Sequence, residues 1–173
     1  MQKAIFLDRD GILIKIKKYN NKPYSVDDLS KLKFTNSIKL LLKKLKKKYL
    51  LIMITNQPNV ARGFIKKKEV IKINDYIKDQ LNLDDVFCCF HDNKDNCSCR
   101  KPKPGMLLRA KKKWKIDMKN SYFIGDRRKD ILAGKKAGCK NIFINYNYNE
   151  KLPSKKDCKY LKSIKDVINY INA

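Results

Sequence analysis

Short apolar runs alternate along this chain with longer stretches in which apolar residues recur every three or four positions. Lys3-Ala-Ile-Phe-Leu-Asp8 reads as a short buried strand that ends in an acid. From Thr35 to Lys47, residues Ile38, Leu41, Leu42 and Leu45 fall at helical spacing, with Thr35 placed to cap and Lys43–Lys48 covering the wet face. Tyr49–Ile54 is a second apolar strand, running into Thr55-Asn56-Gln57. A helix is predicted over about 67–81, then a strand over Val86–Phe90. Pro104 opens a helix to about Trp114, since its fixed φ and missing N–H suit a first helical position. Ser121–Gly125 is a strand, 128–136 a helix closed by Gly138, Asn141–Asn145 a strand, and Leu161–Ile171 a final helix. Only Asn145–Lys156 looks loose. Strands alternating with helices predict an α/β fold: a parallel sheet covered by helices on both faces. With 173 residues the expectation is one domain over 1–173.

In open parallel sheets, ligands bind outside the carboxyl ends of the strands. Three of the predicted strand ends carry polar chemistry: Asp8 and Asp10, then Thr55 and Asn56, then Asp126 and Asp130. A single Asp after a strand is commonly a turn or cap residue. Three such clusters in register point instead to a joint site. Carboxylate and carbonyl oxygens suit Mg²⁺, which keeps waters and bridges to phosphate. An Asp beside that ion is a nucleophile able to accept a phosphoryl group, splitting hydrolysis into two displacements.

Charge changes the picture less than its size suggests. The chain carries 42 Lys+Arg against 17 Asp+Glu, a net charge of +25, which invites a nucleic-acid reading. Yet only six of the cations are Arg, the residue that reads bases and clamps phosphates in bidentate fashion. Hydrophobic residues make up 43%, enough for a real core. No apolar run approaches the roughly 18 residues of a membrane span, and the first residues lack a signal peptide's apolar stretch. The expectation is a cytoplasmic monomer with a small phosphorylated substrate and no membrane partner, with nucleic acid kept only as an alternative.

Of six cysteines, Cys88, Cys89, Cys97 and Cys99 fall within twelve positions, together with the chain's single histidine, His91. Cys89, His91, Cys97 and Cys99 form a Cys₃His set suited to tetrahedral zinc, and four protein ligands leave no open position, so the zinc is structural. The zinc loop spans about 88–100. Cys88 is one residue out of register and points to the other strand face. Cys139 and Cys158 are isolated thiols.

Phe6-Leu7-Asp8-Arg9-Asp10-Gly11, Thr55-Asn56-Gln57, Arg100-Lys101-Pro102 and Gly125-Asp126-Arg127-Arg128-Lys129-Asp130 resemble the four ordered motifs of the haloacid-dehalogenase (HAD) superfamily. The pattern is most similar to its subclass III phosphatases, the group that includes the heptose-bisphosphate and histidinol-phosphate phosphatases. The resemblance covers about residues 3–145 and implies a Rossmann-like HAD fold with no large cap domain. It implies that Asp8 is the nucleophile and that Asp10 is the acid and base. Mg²⁺ would sit on Asp8, the Asp10 carbonyl and Asp126. Thr55 would hold a phosphoryl oxygen, and Lys101 would neutralise developing charge. Asn56, Arg62, Arg100 and Arg127 would contact substrate, and Asp130 would support the metal shell. The family often has Lys directly after the metal-binding aspartate, where this chain has Arg127. Pro104-Gly105-Met106-Leu107 resembles the heptose enzymes, while the five residues between His91 and Cys97 resemble the histidinol ones. Heptose 1,7-bisphosphate, cleaved at its 7-phosphate, is therefore the first expectation. Histidinol phosphate, a polynucleotide 3′-phosphate or plain nucleic-acid binding remain as alternatives.

Overall fold

The computed structural model describes residues 1–19 and 22–172; Asn20, Asn21 and Ala173, part of the expected domain span, lie outside the described residues. In chain order the elements are β1 (Ala4–Leu7), β2 (Lys17–Tyr19), β3 (Lys22–Tyr24), α1 (Ile38–Leu45), β4 (Leu50–Asn56), α2 (Lys67–Gln80) and β5 (Asp85–Cys89). There follow α3 (Gly105–Trp114), β6 (Tyr122–Gly125), α4 (Arg128–Ala137), β7 (Lys140–Ile144), β8 (Lys159–Leu161) and α5 (Ile164–Asn172). Six strands form one parallel sheet in the order β5-β4-β1-β6-β7-β8. The parallel sheet with helices on both faces is as expected.

Why both faces are covered is visible in the strands themselves. In β1, Ile5 and Leu7 enter one core, and Ala4 and Phe6 the other. In β4, Leu51 and Met53 face the first core while Ile52 and Ile54 face the second. A strand apolar at every position has no face to give to water, so helices must cover it twice. The apolar stripes of α1, α2 and α5 close the first face through residues such as Leu41, Ile77 and Val167. The second is closed by α3 and α4 through Met106, Leu107, Ala110 and Ala133.

The chain runs from β1 outward to β4 and β5, then crosses back to β6 on β1's other side. That reversal puts the switch point at the carboxyl end of β1, where such sheets open a crevice. Asp8, Thr55 and Asp126 stand at the ends of the three strands that flank it.

Three local expectations need correction, and one element has no counterpart among them. The first helix begins at Ile38, and Thr35 does not cap it through its side chain: Ser37 takes a left-handed φ of 64° and the Ile38 N–H bonds the Thr35 carbonyl at 3.2 Å. Lys159–Leu161 is an edge strand paired with β7, so α5 starts at Ile164, after Ser163, whose hydroxyl accepts from the Asp166 N–H at 3.4 Å. The hairpin β2–β3 has no apolar alternation to announce it. Residues 145–156 are not loose throughout, because Tyr148 is buried there. Among the described residues that hairpin is the only sheet inserted between β1 and α1, in keeping with the absence of a large cap.

Candidate active site and metal centres

Asp8 leaves β1 with its Oδ1 accepting from the Arg9 backbone N–H at 2.8 Å and from Lys101 Nζ at 2.7 Å. The same ammonium reaches Asp130 Oδ1 at 2.7 Å and donates to the Ile54 carbonyl at 3.1 Å. Lys101 thus lies buried between two carboxylates that share one cation. Although burial opposes its charge, Asp130 and Asp8 hold the ammonium protonated well above its ordinary range. Its backbone is clamped as well. Asn56 Oδ1 accepts from the Lys101 N–H and Asn56 Nδ2 donates to the Lys101 carbonyl, both at 3.1 Å.

Asp126, at the end of β6, is buried beside this pair. Its Oδ2 accepts from the Tyr148 hydroxyl at 2.6 Å, while its Oδ1 is buried with no hydrogen-bond partner among the described residues. Carboxylate oxygens of Asp8, Asp126 and Asp130 lie within 4.8 Å of one another. Burial first, then the neighbouring carboxylates, pushes Asp8 up to about 6 and Asp126 well above its usual range. Three buried carboxylates meet one buried ammonium, and one of their oxygens is orphaned. That excess of negative charge fits a hard divalent cation such as Mg²⁺. Gly11 stands over the cluster with φ +94°, and a Cβ there would fall 2.0 Å from Asp126 Oδ2. Only glycine leaves room for the carboxylate and adopts that backbone freely.

Asp10 sits apart from the trio. Arg9, whose side chain is fully buried, donates to it through Nε at 3.0 Å and Nη2 at 3.1 Å, and Gln57 Nε2 donates at 2.8 Å. Burial pushes Asp10 up, but the Arg9 charge and these hydrogen bonds outweigh it and hold the carboxyl below its ordinary value. Gln57 also donates to Thr55 Oγ1 at 2.8 Å, tying hydroxyl and carboxylate to one amide. Arg9 and Gln57 stand within the sequence motifs but were assigned no role there. Their signal was position beside two expected site residues. Tyr148 gave none.

The crevice over these groups is lined by Asp8, Asp10, Asn56, Lys101, Arg127 and Lys129, with Pro23, Tyr24 and Ser25 from the β3 side. A larger, mostly apolar cleft of about 510 Å³ opens between Thr35, Tyr146 and Ser163, but none of the carboxylates lines it. The Arg127 guanidinium pairs with Glu150, donating through Nε at 3.0 Å, and the Arg127 backbone N–H donates to Asp130 Oδ2 at 3.0 Å. Lys129 was not among the expected site residues. Burial, then the charge of Arg127, lowers it to about 8.

Cys89, His91, Cys97 and Cys99 converge as a second cluster, ligand atoms within 4.8 Å. Sulfur separations are 3.1–3.7 Å, and His91 Nδ1 lies 3.3 Å from Cys99 Sγ and 3.7 Å from Cys89 Sγ. Tetrahedral zinc with Zn–S bonds of about 2.3 Å holds its sulfurs just under 4 Å apart, so this donor set fits that ion. Cys88 is outside the cluster, with its thiol near Asn74 on the other face of β5. Arg100 hangs from the loop: it donates to Asn93 Oδ1 at 2.8 Å and to the His91 carbonyl at 3.1 Å. Arg62 does not line the crevice. Its guanidinium is bidentate on Asp92, at 2.8 and 2.9 Å. Together with Asn93, that guanidinium holds the Asp92 carboxyl at about 2.

Residues 6–138 match the family model of haloacid dehalogenase-like hydrolases. The chain belongs to that family. Among curated relatives of this HAD hydrolase, the D-glycero-alpha-D-manno-heptose-1,7-bisphosphate 7-phosphatase of Campylobacter jejuni is 37% identical, covering 97% of this chain and 95% of that one. The D-glycero-beta-D-manno-heptose-1,7-bisphosphate 7-phosphatase of Helicobacter pylori is also 37% identical, over 96% of this chain and 97% of its own. Among solved structures, D,D-heptose 1,7-bisphosphate phosphatase from B. bronchiseptica, complexed with magnesium and phosphate, superposes with a TM-score of 0.84. It is 23% identical and covers 99% of this chain and 98% of that one, a likeness of fold. This HAD hydrolase is a phosphatase. No helix among its described residues is long and apolar enough to cross a membrane.

Proposed function

We propose that this phosphatase removes the 7-phosphate of D-glycero-D-manno-heptose 1,7-bisphosphate. The observation that carries the substrate is likeness along nearly the whole chain to relatives bearing that name. The reaction is supported by the Asp8–Lys101–Asp130 chain beside Asp126.

Asp8 attacks phosphorus through a carboxylate oxygen while the bond from phosphorus to the sugar oxygen breaks. Although burial pushes it up to about 6, the carboxyl is still mostly ionised at neutral pH, as a nucleophile must be. Asp8, Asp126 and the Asp10 carbonyl, with Asp130 in support, would hold Mg²⁺, which would supply Lewis-acid stabilisation of the phosphoryl oxygens. Lys101, fixed at both backbone and ammonium, neutralises charge without having to reorganise. Thr55, whose hydroxyl accepts from Gln57, would hold a phosphoryl oxygen. Asp10, kept ionised by Arg9, is ready to take the proton of the water that cleaves the aspartyl-phosphate. Its earlier task, protonating the leaving oxygen, requires that it first take a proton from solvent, which the negative charge of the arriving phosphate favours. Arg62 and Arg100, held at the Cys/His loop by Asp92 and Asn93, would meet substrate at the rim. The Cys₃His set would hold structural zinc, which would stiffen the loop that carries Arg100.

Initial rates with Mg²⁺ on heptose 1,7-bisphosphate, histidinol phosphate and a 3′-phosphorylated oligonucleotide test the substrate. We expect kcat/KM for the heptose to exceed the others by about 10²-fold or more, the size of a few well-placed contacts. A preference for either of the others overturns the assignment.

A further inference from the structure

The crevice contains two cations that the reaction as derived does not use, Arg127 and Lys129. Lys129, on the first turn of α4, lines it beside Asp8, Asp10, Asn56 and Lys101. The other cations that line the crevice, and Arg9 beside Asp10, are committed. Lys101 bridges Asp8 and Asp130, Arg9 holds Asp10 and Asn74, and the Arg127 guanidinium is held by Glu150. Lys129 is half-buried and, among the described residues, forms no ion pair.

Its placement is also unfavourable for folding. The amino end of a helix carries partial positive charge, which disfavours a cation there. Arg127 and Arg128 crowd the same turn. An ammonium withdrawn from water with no partner is costly unless an anion joins it. A phosphoryl group arriving at Asp8 is such an anion, carrying several unsatisfied oxygens.

We propose that Lys129 is a catalytic residue, its ammonium binding the phosphoryl oxygens at Asp8 in the role expected of Arg127. Glu150 holds Arg127 back from that role and leaves it to shape the rim. The inference rests on the phosphatase reading, but not on the identity of the sugar.

Inorganic phosphate, the product, is the probe, measured with the Mg²⁺-loaded protein by competitive inhibition and by thermal shift. A charged hydrogen bond is equivalent to about tenfold or more in affinity, so Lys129→Met should weaken phosphate by that factor. The same variant should melt no lower than the parent without phosphate, because it loses an unpaired charge, and should lose most of the phosphate-induced rise. Lys129→Arg should keep phosphate affinity within about threefold, and Arg127→Gln should do the same. If Lys129→Met fails to fold, Lys129→Gln is read in its place. A folded neutral variant that binds phosphate like the parent overturns the proposal, as does loss of binding in Arg127→Gln alone. Neither result touches the sugar assignment, which falls only if the parent protein prefers another ester.

Discussion

The carboxylate centre and the Cys/His loop are both four-residue constellations with little freedom, yet they are held in opposite ways. Asp8, Lys101, Asp126 and Asp130 come from distant parts of the chain and are buried where β1, β4 and β6 end. The sheet fixes them, and their mutual repulsion works against folding. Cys89, His91, Cys97 and Cys99 come from one short segment, with His91 exposed and two of the thiols half-buried. Their loop is supported locally by a reciprocal Asp92–Asp95 cap and by Asn96 at φ 42°. The first site stores strain that a cation relieves. The second has little core of its own, and its donor set fits an ion that would tie it together.

The largest effect should follow from removing the nucleophile. Asp8→Asn should lower Mg²⁺-dependent turnover by about 10⁴-fold or more, the scale seen when a catalytic nucleophile is deleted. Stability should move the other way. In the folded protein Asp8 holds its proton up to about 6, against 3.8 ordinarily, so the native state binds more protons than the unfolded chain between those values. The metal-free parent should therefore lose stability through this group as pH rises from about 4 to about 6. Asp8→Asn should flatten that slope and melt no lower than the parent at neutral pH. Phosphate release and melts across this range check both, and a variant that stays active removes Asp8 as nucleophile.

The loop should respond in the reverse sense. Stripping zinc, or changing Cys99→Ser, should cost on the order of 5 kcal/mol, or roughly 10–20 °C in Tm, a reduced share of what isolated zinc modules gain. Turnover should fall much less than for Asp8→Asn once Mg²⁺ is restored. Lys101 keeps its Asn56 clamp and its two carboxylates without the loop, whereas Arg100 depends on Asn93 and the His91 carbonyl. Metal analysis of the purified protein should find about one zinc per chain. Zinc-free protein with an unchanged melt would break the comparison.

The same division governs what could be read from the chain before its fold was known. The loop is a local pattern, and the acids were legible because strand ends in a parallel sheet converge on one crevice, so three separate motifs became one hypothesis. The short strand β8 and the hairpin β2–β3 were not legible, since three residues carry too little periodicity to register. Orientation was not legible either. Nothing in Gly125-Asp126-Arg127-Arg128-Lys129-Asp130 says that Arg127 turns to Glu150 while Lys129 faces the crevice, because the deciding partner lies on a remote loop. Tyr148 on Asp126 was hidden for the same reason.

The smallest effect belongs to the rim and sharpens the contrast most finely. Arg62 is 42% exposed on its side chain and grips Asp92 in bidentate fashion, so solvent screens the pair and the loop keeps its own cap without it. Arg62→Gln should shift Tm by roughly 2 °C or less, the scale of an exposed ion pair. If Arg62 reaches the second phosphate of the substrate, KM should still rise by about tenfold while kcat holds, because a contact made equally before and during reaction is uniform binding. The two readings separate cleanly. A falling kcat would mean that Asp92, freed from Arg62, had pulled Arg100 or the loop out of place, and the rim would then act through position and not through contact.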